Sequence, residues 1–500
     1  MCCHDLSRRD FVGLAAACAV APGGPEWAAD LWAPERPFSR LGQPLRVQPV
    51  LMYALPKRRE AASWKSWGGI QTEESAAAEM KRIAEELKSV SAQAEFGVEV
   101  LPVRKATSVE EAARARNTDA DVTVLYPATG SANLLRACIA GQGDAIIFVR
   151  HRSGPVYYWY EALSVRYLRP DRPQPAPANP AEAPRLSVHD VVVDDRGELL
   201  WRWRALYGAK NFLGARIVAL GGAQGKYAAE APQVARERFK LDIVELSYDE
   251  AGPRIRGALA DRTRLARAEQ WAKRYLSLPK TALETDRKFV VNAFLLYGVF
   301  KDLLREHGAA AFTINRCMGT ILPIAETTAC LSLSLLNDEG VPAFCESDFV
   351  IVPAGILLRY IAGKPVFLHN STFPHQGVVT CAHCTAPRRM NGARYEPVRV
   401  LTHYESEYGA APKVEIPPGQ EVTFIDPEYA TCRWIGMKGV VESNPSYEIC
   451  RSQQDVRIQG NWRKLLDEVR DSHWVMVYGD YLKELGYAAP RVGVRWESLD

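Results

Sequence analysis

The sequence predicts an α/β protein with two open parallel-sheet (Rossmann-like) domains, followed by a mixed α+β domain with a small antiparallel barrel. Three observations predict it. Short buried apolar runs alternate with helical segments through the first 300 or so residues, the pattern of strands joined by crossover helices. A proline-rich interruption at 169–185 (RPDRPQPAPANPAEAPR) divides that rhythm into two halves and reads as an extended linker. From Val398 the chain changes to alternating strands punctuated by Gly and Pro, as in antiparallel sheets and barrels. A length of 500 residues also calls for several cores, at roughly 100–200 residues each.

Arg46–Leu55 (RVQPVLMYAL) reads as a buried strand. Thr72–Val90 is helical, with apolar residues at Ala76, Met80, Ile83 and Leu87 on one face. Gly97–Val103, Ala120–Tyr126 and Gly143–Val149 are further strands, with a short helix at Ser108–Ala115. These make a first α/β domain over 45–168. After the linker, helical Leu200–Leu206, strand Gly214–Leu220, helix Ala228–Lys240 and strand Leu241–Leu246 open a second domain over 186–309. Gly221–Gly225 lacks the full dinucleotide fingerprint and reads as a tight turn, although such turns also cradle phosphates. Asp261–Leu276 and Asp286–His307 are long helices leading to a third domain over 310–500. There VRVLTHYES, PKVEIPPGQEVTFI and RWIGMKGVVES are strand-like, with a closing helix at Trp462–Asp471 and a final strand at His473–Tyr478.

Residues 1–29 stand apart. Arg8-Arg9 precedes an apolar Ala-rich run from Phe11 to Ala21 that ends in Ala19-Val20-Ala21, the pattern of a twin-arginine export signal. This predicts a periplasmic or extracellular destination; a frayed N-terminal helix and lipid attachment at Cys18 are the alternatives. The 62 basic and 59 acidic residues nearly cancel, to +3, which gives no electrostatic footprint for nucleic acid. No apolar run in the body of the chain reaches the roughly 20 residues of a membrane span. Of 11 cysteines, Cys2, Cys3 and Cys18 lie in the leader, and the other eight are spread thinly. Cys381-Ala382-His383-Cys384 lacks a second CxxC, so buried cysteines explain it better than a zinc site.

One stretch is more specific. Thr328–Ala343 contains Asn337-Asp338-Glu339-Gly340 and runs directly into Phe344-Cys345-Glu346-Ser347-Asp348. Ala362-Gly363-Lys364-Pro365-Val366-Phe367 follows, and His473-Trp474 through Gly479-Asp480 closes the region. Over roughly 310–480 these segments resemble the carboxy-terminal domain of L-fucose and L-arabinose isomerases. There a helix ending in an Asn-Asp-x-Gly turn leads to an acidic triplet beginning with glutamate. A Gly-x-Pro strand then leads to a second metal carboxylate, and a closing segment delivers a histidine.

The resemblance implies aldose–ketose interconversion of a small-molecule sugar through an enediol, a divalent cofactor (usually Mn2+ in such relatives) and a homo-oligomer. Such an ion polarises the sugar oxygens, while carboxylates move the proton. Carried over by residue, Glu346 is a metal ligand and candidate base, and His473 an imidazole ligand. His383 matches a further histidine of L-arabinose isomerase-like sites. The second carboxylate falls in line with Asn370, whose amide oxygen can ligate but cannot act as a base. Between Asp348 and Glu396 there is no acidic residue, yet His369, His375 and His383 crowd there, from nine histidines in all. They are backbone-capping loop residues, or part of a nitrogen-rich metal centre or an electropositive pocket. Asp348 and Glu326 are the other candidate bases. His369 and His375 are candidate substrate contacts, as are Trp474, Tyr429 and Trp434 by stacking, although strand aromatics more often belong to a core. The expected function is therefore a metal-dependent isomerase. The alternatives are an exported carbohydrate-binding protein without proton transfer, and an epimerase or lyase acting on an acidic sugar.

Overall fold

A computed structural model of the chain describes residues 32–66, 68–115, 119–139, 143–153 and 186–499. The twin-arginine leader and the proline-rich linker lie outside the described residues. Strands β1 (Leu45–Met52), β2 (Val98–Val100), β3 (Arg104–Ala106), β4 (Val122–Pro127), β5 (Asp144–Val149) and β6 (Val191–Val193) form a parallel sheet in the order β2-β1-β4-β5-β6, with β3 also on β1. A second parallel sheet is built from β7 (Arg216–Leu220), β8 (Asp242–Leu246), β10 (Ala311–Ile314) and β11 (Ala343–Phe344), in the order β11-β10-β7-β8. Between β8 and β10 runs β9 (Thr281–Leu283).

The remaining strands are antiparallel apart from two parallel pairings. β12 (Phe367–Ser371), β13 (Val378–His383), β16 (Glu421–Pro427), β17 (Arg433–Ser443), β18 (Ser452–Gln459) and β19 (His473–Tyr478) follow the order β16-β19-β12-β13-β18-β17. Pairing of β16 with β17 closes this order into a six-stranded barrel, which removes its exposed edges. β20 (Arg495–Ser498) adds to β17 in parallel. β14 (Val398–His403) and β15 (Tyr408–Val414) leave the barrel and form a small sheet with β9. No single helix among the described residues is long and apolar enough to cross a membrane.

The mixed architecture with its parallel sheets and antiparallel barrel thus matches the predicted class, but the sheets do not break where the composition does. β6 lies beyond the linker and still pairs with β5 of the first sheet. β10 and β11 lie beyond residue 310 and pair into the second sheet through β7. The carboxy-terminal region is therefore grown from the second sheet and not set beside it. The helix expected at Asp261–Leu276 is present as Arg262–Leu276, capped by Asp261, and a further helix, Tyr248–Ala260, precedes it.

The Asn-Asp-x-Gly turn is the joint of this region. It ends the helix Cys330–Glu339, and each of its residues holds something different. The Asn337 side chain exchanges hydrogen bonds with the Ala343 backbone, fixing the start of β11 (Nδ2 to O, 2.7 Å). Asp338 accepts the backbone N–H groups of Arg388 (2.7 Å) and Arg389 (2.6 Å), and so holds the loop that follows β13. Glu339 pairs with buried Lys301 at 2.9 Å. Gly340 has φ +107°, and a Cβ there would lie 2.5 Å from the Ser39 carbonyl oxygen; only glycine meets both conditions at low cost.

Inside the barrel, His369 and Trp474 lie opposite one another on β12 and β19 and pack with Phe424. Both are fully buried. This corrects the expectation that they contact substrate: a side chain sealed in a barrel core has no face left for a sugar. Burial pushes the His369 imidazole down to about 3. Unfolded histidine takes up a proton near 6.5, whereas His369 in the fold does not until far lower pH. Its contribution is therefore complete above pH 6.5 and lost as pH falls toward 3, by up to about 1.4 kcal/mol per pH unit. We expect His369→Phe to flatten the fall in urea stability between about pH 7 and about pH 5 relative to the parent. Equal slopes in the two proteins would contradict a neutral buried imidazole.

Candidate metal centre

The site forms at the carboxyl ends of β7 and β11, where the chain leaves β7 for β8 on one side and β10 flanks it on the other. Such a switch point opens a crevice in parallel sheets. After β7, Gly221 and Gly222 adopt φ +82° and +94° and turn the chain over the neighbouring strand ends. Gln224 then docks on the turn after β11. Its N–H donates to the Ser347 carbonyl (3.2 Å), its carbonyl accepts the Phe349 N–H (2.8 Å), and its side-chain Nε2 donates to the Glu346 carbonyl (2.7 Å). These bonds hold Glu346 (φ +64°) and Ser347 (φ +47°) in the left-handed region, which non-glycine residues adopt only under constraint.

So placed, the Glu346 carboxylate faces two histidines from the barrel. Oε1 lies 3.6 Å from His383 Nε2 at the end of β13, and Oε2 lies 3.7 Å from His473 Nε2 at the start of β19. The three donor atoms fall within 4.8 Å of one another. Lys226 completes the group, with Nζ 3.4 Å from Glu346 Oε2 and 3.3 Å from His473 Nε2.

Behind His473 lies Asp348. Its Oδ2 accepts from His473 Nδ1 at 2.7 Å, while Oδ1 accepts the backbone N–H groups of Lys226 (3.0 Å) and Val350 (3.1 Å). A carboxylate only accepts, so the proton of His473 sits on Nδ1 and the Nε2 lone pair faces Glu346. That is the tautomer and the carboxylate–histidine pairing used to hold a metal ligand. His383 is bonded similarly through Nδ1 to the Thr385 hydroxyl at 3.2 Å. For Glu346, burial pushes the pKa up. The hydrogen bond to His383, the Lys226 ammonium and the two imidazoles when protonated outweigh it and hold the carboxyl well below its usual range. One carboxylate and two imidazole nitrogens suit a divalent first-row ion, and Glu346, His383 and His473 would hold it.

The structure thus brings together three of the four metal-ligand candidates. Asn370, the fourth, is paired directly with His473 across β12 and β19. Ser371 N–H bonds to the Ser472 carbonyl, so Asn370 and His473 form the adjacent non-hydrogen-bonded pair, in which side chains stand closest. Asp348, predicted as a base, is fully buried behind His473. It positions the imidazole and does not face a substrate. His375, a predicted substrate contact, sits on the exposed hairpin between β12 and β13. Its Nδ1 lies 3.2 Å from the Phe373 carbonyl oxygen, which is the backbone-capping alternative. Glu326 pairs with Lys288.

The expectations missed Gln224 and Lys226. The available signal was the Gly-rich turn after β7, in the position where parallel sheets bind ligands; a tight turn was the favoured reading of it and a phosphate cradle the alternative, and neither points to Gln224 or Lys226. Comparison with protein-family models and with curated proteins gives no match.

Two outcomes test the centre. The ammonium of Lys226 neutralises the same carboxylate and faces the same lone pair as a metal would. Lys226→Met is therefore expected to raise divalent-ion affinity, measured by equilibrium dialysis or calorimetry. Asp348→Asn is expected to lower it by about 10–100-fold, the usual effect of losing an outer-shell partner, while Glu346, His383 and His473 remain. A Lys226→Met protein that binds ions no better than the parent would exclude this competition.

Proposed function

We propose that the chain is a metal-dependent sugar isomerase-like enzyme that moves a proton between neighbouring carbons of a small sugar. The observation that carries this reading is the convergence of Glu346, His383 and His473, from the second sheet and the barrel, on one point beside Lys226. The resemblance of the flanking segments to L-fucose and L-arabinose isomerases supports the same assignment.

Glu346, His383 and His473 would hold a divalent ion, Mn2+ by that resemblance, which when bound would supply Lewis-acid polarisation of the sugar carbonyl. Glu346 is only partly buried, at 38% side-chain exposure, and is the one carboxylate in the cluster open to a substrate. We assign it proton removal from the carbon beside the carbonyl and its return to the neighbouring carbon. Lys226 supplies a positive N–H donor for the oxygen on which charge develops. Asp348 keeps His473 in its ligating tautomer, and Asn370 offers an amide oxygen without basicity.

Asn370 is also the observation that favours a second reading, a carbohydrate-binding protein without turnover. Where the resemblance expects a second carboxylate, this chain has an amide. A single experiment separates the two. The purified chain is loaded in turn with Mn2+, Fe2+, Co2+ and Zn2+ and incubated with neutral and acidic sugars in heavy water. Deuterium at the carbon next to the carbonyl is expected for the isomerase. Sugar binding without exchange under every metal would leave the binding protein. Glu346→Gln is expected to abolish exchange and weaken metal binding; a variant binding metal as tightly as the parent would remove Glu346 from the ligand set.

A further inference from the structure

Two thiols lie at the rim of this centre, and none of the roles above uses them. Cys317 opens the π-helical turn Cys317–Ile321 just past β10, and Cys345 follows β11 directly before Glu346. β10 and β11 are parallel neighbours, so both cysteines emerge at the same carboxyl edge. Their Sγ atoms are 3.8 Å apart. Cys345 is 6% exposed, whereas Cys317 is only half-buried. A reagent from solvent therefore meets Cys317 first and finds Cys345 waiting behind it.

We infer that Cys317 and Cys345 form a thiol–disulfide modification site whose oxidation displaces the Glu346 turn. This coupling to metal binding rests on the metal reading above. The oxidant is a low-molecular-weight disulfide. The Cys317 thiolate attacks one sulfur of RSSR, giving Cys317–S–S–R and releasing RS−. The Cys345 thiolate then attacks the Cys317 sulfur and releases the second RS−. Two protein thiols are oxidised and one RSSR is reduced to two RSH, which take up the two protons the protein thiols lost.

The consequence follows from geometry. A disulfide needs sulfurs about 2.05 Å apart, so the pair must close by roughly 1.8 Å. The β10 and β11 ladders hold the strands behind both cysteines. The softer element is the turn at Glu346 and Ser347, left-handed at both residues and kept there by the bonds from Gln224. Drawing Cys345 toward Cys317 drags the adjoining Glu346, taking its carboxylate from His383 and His473.

The test uses the full chain treated with excess oxidised glutathione, then alkylated, digested and mapped by mass spectrometry. The expected crosslink joins the Cys317 and Cys345 peptides. Amide hydrogen exchange over 346–350 is expected to rise in the oxidised form. Mn2+ affinity is expected to fall by about tenfold or more, comparable to losing a supporting partner of the site, and to recover with dithiothreitol. Cys317→Ser and Cys317→Ala, treated alike, should show none of these changes. Both thiols remaining free under oxidant overturns the inference. So does a crosslinked protein whose exchange over 346–350 matches the reduced form. A reduced chain that binds no divalent ion sinks the metal reading instead, and mapping with hydrogen exchange still decides the thiol pair.

Discussion

The 2.7 Å bond between Asp348 and His473 joins two residues 125 positions apart, both without solvent exposure. It ties the second parallel sheet to the barrel, and most of what is distinctive here depends on it. A buried carboxylate is tolerable only when its oxygens are satisfied, and Asp348 satisfies them with one imidazole and two backbone amides. The same bonds order three things together: the His473 tautomer, the path of the Gly-rich loop through Lys226 N–H, and the start of the helix Val352–Ala362 by way of Val350. Removing this carboxylate would leave each of them to find another partner in a dry interior.

Around that bond the charges are nearly balanced. Glu346 is the exposed acid, Lys226 its neighbouring base, and the two histidines present nitrogen lone pairs. The Lys226 ammonium offsets one of the two carboxylates, Glu346 and Asp348, that border the histidines.

Much of the fold was legible because it depends on local pattern. The apolar run of β1, the spacing of the helix Glu73–Ala92 and the alternation of β17 each announce themselves within about a dozen residues. The acidic triplet and His473 were legible as motif. What was not legible depends on partners distant in sequence. Nothing near residue 191 says that β6 returns to the first sheet, and Lys226 reaches Glu346 across 120 positions. Parity was the other obstacle. Neighbouring strand residues face opposite ways, so His473 looks toward the Glu346 turn while Trp474, one step along, fills the barrel. The sequence lists such neighbours together; only the pairing of β12 with β19 separates the ligand from the core.

Growth of the carboxy-terminal region out of the second sheet limits how this chain could have been assembled or could be dismantled. A fragment beginning near residue 310 would carry β10 and β11 with no β7 beside them, baring an unpaired parallel edge of the kind that associates with other chains. It would also lack the loop that holds Glu346 in place. The motif-bearing half is therefore not a portable module. Whatever chemistry this site performs would have to be transplanted together with β7 and the loop that follows it.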